Sequence, residues 1–152
     1  MNTVNPYLKQ YQKSAIETAS PERILIMLYD GAIQFLIKAR AAMEQKNIQE
    51  THDNITKCEN IILEFMNSLD MKNGGDIAQK LYALYDYLFE TLALSNRKKD
   101  IKKLDEVLNH LKDLRETWQK AIAIANIEKS ALLSDDTYDK YELAEDDEED
   151  EE

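Results

Sequence analysis

The chain has 152 residues, with 30 acidic and 19 basic side chains, a formal net charge of −11, one cysteine, two prolines and three glycines. So few prolines and glycines leave long helices almost uninterrupted, which argues against a protein built from sheets. The length is that of one domain.

The acidity is concentrated at the C-terminal end. Residues 135–152 hold twelve acids and one base, so residues 1–134 hold 18 acids and 18 bases and carry no net charge. A body without an excess of basic residues argues against nucleic acid as a partner. The acid-rich tail itself is predicted to be disordered.

Compartment follows from the cysteine count and from the apolar runs. Cys58 stands alone and cannot form an internal disulfide, and residues 1–10 lack the basic and apolar stretches of a secretion signal. No apolar run approaches the roughly 20 residues that a membrane span needs. We therefore expect a cytosolic protein without a transmembrane segment.

The first helical segments are predicted near the N-terminus. Residues 7–18 form a short amphipathic segment, which predicts a helical arm. Ser20 and Pro21 predict the start of the first long helix, because a hydroxyl caps free amides and a proline is tolerated at the first position. The apolar spacing extends this helix to about Gln45.

Three further helices follow. A capping box of Asn47 and Glu50 opens the second. The Asn73-Gly74-Gly75 turn ends it, and Asp76 is predicted to cap the third helix, residues 77 to about 96. The fourth runs from about residue 101 to about 125, and residues 126–134 are predicted to add one docked turn.

Long helices joined by a few residues must fold back on one another. The predicted fold class is therefore all-α, an antiparallel up-down four-helix bundle with a short N-terminal helical arm and a disordered acidic C-terminal tail. The predicted divisions are an arm at 1–19, a bundle domain at 20–134 and a tail at 135–152.

No motif indicates chemistry. Neither His52 nor His110 has a Glu three residues before it, as a di-iron bundle would require. Cys58 falls on the predicted core stripe of the second helix, where a buried thiol is expected. No nucleophile elbow or phosphate loop occurs. We therefore expect no cofactor, no metal site and no enzymatic activity.

The third helix carries two apolar stripes where a corner helix of a bundle needs one. They are Ile77, Leu81, Leu84, Leu88 and Leu92 on one line, and Tyr82, Tyr85, Phe89 and Ala93 on another. Either the helix packs centrally, or the arm and residues 127–133 cover the second stripe, or an apolar groove is exposed for a helical partner. The sequence alone leaves these alternatives open.

Several motifs resemble, in the right order, those of the flagellin export chaperone family, FliS. They are Asn5-Pro6-Tyr7, residues 16–22, Leu28-Tyr29-Asp30-Gly31, residues 68–78, Leu84-Tyr85-Asp86-Tyr87 and Leu114-Arg115-Glu116-Thr117-Trp118. The resemblance spans about residues 5–125. It implies a cytosolic chaperone that binds the disordered C-terminal segment of flagellin in apolar grooves, prevents premature polymerisation and serves the flagellar export gate.

The resemblance also implies site residues. Tyr7 and Tyr11 match positions in an arm that can occupy the client groove. The implied groove walls are Ile55, Cys58, Ile62, Leu81, Tyr85, Leu88 and Leu92. The acidic tail departs from the family pattern and is interpreted as a solubilising appendage, with contact to the export machinery or a basic partner as the alternative.

One rival function remains. A structural or regulatory bundle could self-associate through the apolar stripe of the third helix, giving a dimer. The chaperone hypothesis instead expects a free protein that is mostly monomeric, with at most weak dimerisation.

Overall fold

The computed structural model describes residues 6–146 and, within them, all side chains except those of residues 8, 11, 15, 16 and 136–146. Five helices follow in chain order: α1 Pro6–Thr18, α2 Pro21–Glu44, α3 Ile48–Ser68, α4 Gly75–Lys98 and α5 Ile101–Asp146. The described residues contain no strand. The predicted all-helical fold is confirmed, and α1 is the predicted helical arm.

The chain divides into two units whose boundary falls inside α5. Unit 1, residues 1–115, contains α1 to α4 and the first part of α5. Unit 2, residues 116–152, contains the rest of α5. Within unit 1, α2 packs against α3 and α3 packs against α4. The first part of α5 completes the four-helix bundle.

Two polar contacts join α5 to α2 inside unit 1. Arg40 Nε donates to Asp105 Oδ1 over 2.7 Å, and a second guanidinium nitrogen reaches the other carboxylate oxygen over 3.2 Å. Further along, Arg115 donates to Asp30. Position 40 pairs with 105 and position 30 with 115, so the two helices run in opposite directions. The predicted antiparallel arrangement therefore holds for this pair.

The predicted helix starts at α2 and α3 are confirmed by their capping bonds. The Ser20 side chain accepts from the Arg23 N–H over 3.2 Å. The Asn47 side chain likewise accepts from the Glu50 N–H over 3.2 Å. The Asn47 side-chain amide in turn donates to the Glu50 carboxylate over 3.0 Å. Both starts thus satisfy backbone donors that a helix leaves free.

The predicted start of α4 is wrong by two residues. The N-cap is Gly74, without a side-chain bond, so Asp76 lies within the first turn and is not the cap. A Cβ on Gly74 would collide with the Asp70 carbonyl oxygen and Ala78, and Gly75 has a φ of +58°. The turn instead draws on the Asp70 carboxylate, which accepts from the backbone N–H groups of the second and third residues after it.

The predicted end of the fourth long helix, which is α5 in the structure, is also wrong. α5 runs through Asp146, so the expected stop near 125 is not what the structure shows. The disorder expected for the tail at 135–152 stays a prediction. No proline or glycine occurs after Gly75, so nothing in the sequence interrupts the helix. Residues 127–133 form part of α5, and their large apolar side chains are exposed rather than docked. Residues 147–152 lie outside the described residues.

An aromatic trio lies in the core of unit 1 and joins three helices. Phe65 of α3 lies between Tyr29 of α2, with ring centroids 4.4 Å apart, and Tyr85 of α4, at 5.3 Å. The Tyr29 and Tyr85 hydroxyl oxygens are hydrogen-bonded over 2.5 Å. All three side chains are buried. This trio fixes the inward direction of α4.

Candidate functional site: the seam between α3 and α4

Six of the seven predicted groove walls lie in the core of unit 1. They are Ile55, Cys58, Ile62, Tyr85, Leu88 and Leu92, each at most 2% exposed. Leu81 is half-buried. The structure therefore differs from the prediction that these residues wall an exposed groove, because the bundle turns their stripe inward. Whether they take part in binding a partner stays a prediction.

The two predicted arm residues lie on α1. Tyr7 is 80% exposed. The Tyr11 backbone is helical, and its side chain lies outside the described residues. Their role in occupying a groove stays a prediction.

The apolar surplus of α4 is divided between an inner and two outer lines. The inner line, which includes Tyr85, Leu88 and Leu92, is buried and mixes members of both predicted stripes. On one flank Tyr82 is 42% exposed and Phe89 is half-buried. Central packing of α4 is thus excluded for these side chains, since a centrally packed helix would bury them.

A register can be read between α3 and α4. The Asn96 side-chain amide nitrogen lies 2.8 Å from His52 Nδ1, and the Glu59 and Glu90 carboxyl groups interact electrostatically. These pairs connect early α3 to late α4, so the helices are antiparallel. By the same register, positions 63 and 66 of α3 lie at the level of positions 82 to 86 of α4.

Helical spacing places apolar side chains of α3 and α4 on the same faces as His52 and Asn96. Tyr82 and Phe89 precede Asn96 by fourteen and seven residues, and therefore share its face. Leu63 and Met66 follow His52 by eleven and fourteen residues on α3. We call this row the α3–α4 seam: Leu63, Met66, Tyr82, Phe89 and Ala93 with the flanking His52, Glu59 and Asn96.

The seam is apolar at one end and polar at the other. Leu63 is 39% exposed, and Met66 is half-buried. Towards the other end, burial raises the pKa of the Glu59 carboxyl, the Glu90 charge raises it further, and His52 opposes this. A segment lying along the seam would thus contact apolar side chains at one end. At the other end it would contact the polar groups of His52, Glu59 and Asn96.

The opposite flank of α4 is tied to α5. Tyr87 is 50% exposed, and its hydroxyl donates to the Glu106 carboxylate. This hydrogen bond raises the pKa of the Tyr87 phenol above its ordinary value. Tyr87 therefore belongs to a polar contact between α4 and α5, whereas Tyr82 belongs to the apolar seam.

Cys58 offers no accessible nucleophile. The thiol is fully buried, and burial raises its pKa well above the ordinary value. A thiol held in its neutral form is a poor nucleophile. Its position agrees with the expectation of a structural, core thiol.

Sequence reasoning missed Leu63 and Met66. The predicted apolar stripe of α3, which includes Cys58, omitted both residues, and they lie to one side of it. Their spacing from His52 places them on the same face of the helix as His52. This spacing indicates a contact with α4 only once His52 is known to contact α4. The helices within residues 6–146 include none with the length and apolar character to cross a membrane.

Comparison with known proteins shows which family the chain resembles. The family model described as Flagellar protein FliS matches residues 3–125. The Flagellar secretion chaperone FliS of Vibrio cholerae is 35% identical over 118 residues, covering 78% of this chain and 87% of that protein. FliSB of Pseudomonas aeruginosa is 36% identical over 115 residues, covering 73% of this chain and 91% of that protein.

A further relative and a solved structure agree with this placement. FliS of Salmonella typhimurium is 32% identical over 128 residues, covering 84% of this chain and 95% of that protein. A crystal structure of a bacterial flagellar chaperone shares the fold, with a TM-score of 0.64 and 21% identity over 78% of this chain and 98% of that one. The chain therefore belongs to the FliS family of flagellar secretion chaperones, and it is a chaperone rather than an enzyme.

Proposed function

We propose that this chaperone binds the disordered C-terminal segment of flagellin in the cytosol, prevents its premature polymerisation and delivers it to the flagellar export gate. The apolar end of the α3–α4 seam is the proposed contact surface. The observation that carries this proposal is the half-exposed row formed by Leu63, Tyr82 and Phe89 along a helix contact.

Apolar rows of this kind suit an amphipathic client. An exposed apolar patch on a folded protein commonly marks a partner site, and a helical segment binds such a groove through residues spaced by three and four. Because Tyr82 lies one helical turn from the buried Tyr85, a client side chain on the seam would rest directly against the bundle core.

A disordered client must lose conformational entropy when it binds. Affinity is then expected to come from a large apolar contact surface and much less from single polar contacts. Holding the segment in this way keeps it from self-assembly, since the buried apolar side chains are no longer available to other copies.

The proposal is tested by calorimetric titration of the full-length chain with a peptide covering the C-terminal segment of the flagellin from the same organism. The titration is run at two temperatures. We expect one-to-one binding with a negative heat-capacity change, which reports apolar burial. Tyr82→Ser and Leu63→Ser should each weaken binding about tenfold.

Tyr87→Ser is the matched control, because it removes the same side chain from the same helix on the flank tied to α5. Its affinity should stay within about twofold of the parent. No heat at either temperature, together with an unchanged melting temperature, would reject flagellin as the client. A dimer in sedimentation experiments that Tyr82→Ser disrupts would instead favour the self-associating bundle.

A further inference from the structure

A small pocket opens at the end of the bundle where the α2–α3 and α4–α5 connections meet. Its volume is about 230 Å³. The lining residues are Met43, Lys46, Ile48, Thr51 and Lys99. Met43 and Thr51 are buried and form the base, while Ile48 is 68% exposed. The pocket is therefore an apolar depression with two lysines among its lining residues.

Neither ammonium group has a carboxylate partner among the residues that the structure describes. Lys99 Nζ donates to the neutral Asn96 Oδ1 over 2.6 Å. Nearby carboxylates are engaged elsewhere, since Asp100 Oδ1 accepts from the backbone N–H groups that begin α5 and Glu50 binds Asn47. Within the described residues, the two lysines of the pocket lining thus form no ion pair.

The backbone at both lysines is unusual. Lys46 has a φ of +57° and Lys99 a φ of +50°, and they are the two non-glycine residues with positive φ in the described part of the chain. A residue with a side chain adopts this conformation less readily than glycine does. The pocket therefore has lysines where the backbone would favour glycine or asparagine, and this conformation fixes the start of each side chain.

We propose that this pocket binds an acidic apolar segment of a protein partner, one apolar side chain flanked by carboxylates. The volume is below the roughly 300–1,000 Å³ of typical small-molecule sites, which favours a single side chain over a cofactor. Met43 and Ile48 accept the apolar side chain, and Lys46 and Lys99 bind the flanking carboxylates. The site adjoins the polar end of the α3–α4 seam, where Lys99 contacts Asn96, but its lining includes none of the apolar seam residues, so it goes beyond the proposed client contact.

The test uses the full-length chain, labelled with ¹⁵N, and the capped peptide acetyl-Ser-Asp-Glu-Leu-Asp-Glu-Ser-amide. We expect saturable amide shifts centred on residues 43–51 and 96–100, weakening as salt is raised. Replacing the peptide leucine with serine, or its four acids with the corresponding amides, should weaken binding at least fivefold. Equal binding of the serine peptide would overturn the proposal, because charge alone would then suffice.

Variants of the chain complete the test. Lys46→Asn with Lys99→Asn removes both charges with a residue that tolerates positive φ, and should weaken binding at least tenfold. Ile48→Ser should weaken it about threefold. Lys72→Asn with Lys80→Asn is the matched control, since both lysines are exposed and neither lines the pocket.

Each variant's melting temperature is measured so that a folding defect is not mistaken for lost binding. Parent-like affinity in the Lys46→Asn and Lys99→Asn double variant would overturn the proposal. Self-association of the free chain that this double variant abolishes would also overturn it, since a second copy would then occupy the pocket. Neither result bears on flagellin binding, which is measured separately with the seam variants.

Discussion

Three tyrosines on α4 show how one helix presents the same side chain to three surroundings. Tyr85 is 2% exposed and hydrogen-bonded to Tyr29, Tyr82 is 42% exposed on the α3–α4 seam, and Tyr87 is 50% exposed and bound to Glu106. Position relative to the neighbouring helices, and not residue type, therefore decides which of these side chains are buried in the core and which are exposed.

Truncation at Tyr85 gives the largest expected effect. Tyr85→Ala removes the contact to Phe65 and leaves a cavity, and we expect a loss of about 3–5 kcal/mol in the free energy of unfolding, measured by urea denaturation. Tyr82→Ala should cost about 1 kcal/mol or less, because its ring is already partly in water. Equal losses of unfolding free energy in Tyr85→Ala and Tyr82→Ala would contradict the division of α4 into a buried inner line and exposed outer lines.

Removing only the hydroxyl of Tyr85 isolates the polar part of the core. Tyr85→Phe keeps the ring against Phe65 but deletes the 2.5 Å hydrogen bond to Tyr29. We expect a loss of about 1 kcal/mol in the same assay. The double variant Tyr29→Phe with Tyr85→Phe should lose less than the sum of the two single variants, since they share one bond. Strict additivity would show that the hydroxyl pair is not coupled.

Changes at the Tyr87–Glu106 contact should be visible in the ultraviolet titration of the Tyr87 phenol, with little effect on stability. Its pKa is raised by the hydrogen bond it donates to Glu106. In an ultraviolet titration, Glu106→Gln should lower this pKa towards the ordinary value, and Tyr87→Phe should remove the high-pH step. The free energy of unfolding should change little in either variant, because the contact is exposed to water. An unchanged titration in Glu106→Gln would contradict the contact.

The smallest expected effect concerns the polar end of the seam. Burial raises the pKa of Glu59 in the folded state, so its contribution to stability is full below the unfolded pKa and is lost as pH rises through the folded pKa. Glu59→Gln cannot lose a proton. Its melting temperature should therefore equal that of the parent near about pH 4 and exceed it slightly near about pH 7. A variant that melts lower at the higher pH would reverse this sign.

The sequence was most informative where the structure is local. Ser20 and Asn47 cap helices as expected, because a cap depends on residues within three positions of it. Asp76 misled for a local reason as well. Gly74 and Gly75 already supply the turn, so α4 begins before the acid. The persistence of α5 through Asp146 follows from the absence of proline and glycine after Gly75, which the predicted stop near 125 did not take into account.

The orientation of α4 could not be predicted from its own sequence. Tyr85 and Leu88 belonged to different apolar stripes, and only the stacking of Phe65 between Tyr29 and Tyr85 turns them both inward. The seam could not be predicted for the same reason, since only the register of α3 and α4 brings Leu63 to the level of Tyr82. The pocket combines residues from two connections about fifty positions apart, which no single-segment pattern relates.

The single cysteine of the chain has a consequence for watching the bundle open. Cys58 lies at 0% exposure in α3, and its thiol is held protonated by burial. An alkylating reagent can therefore react with it only in molecules where α3 has separated from its neighbours. The rate of thiol labelling under native conditions therefore reports how often α3 separates from its neighbours. Because no other thiol competes, the chain carries its own reporter of bundle dynamics without any engineered label.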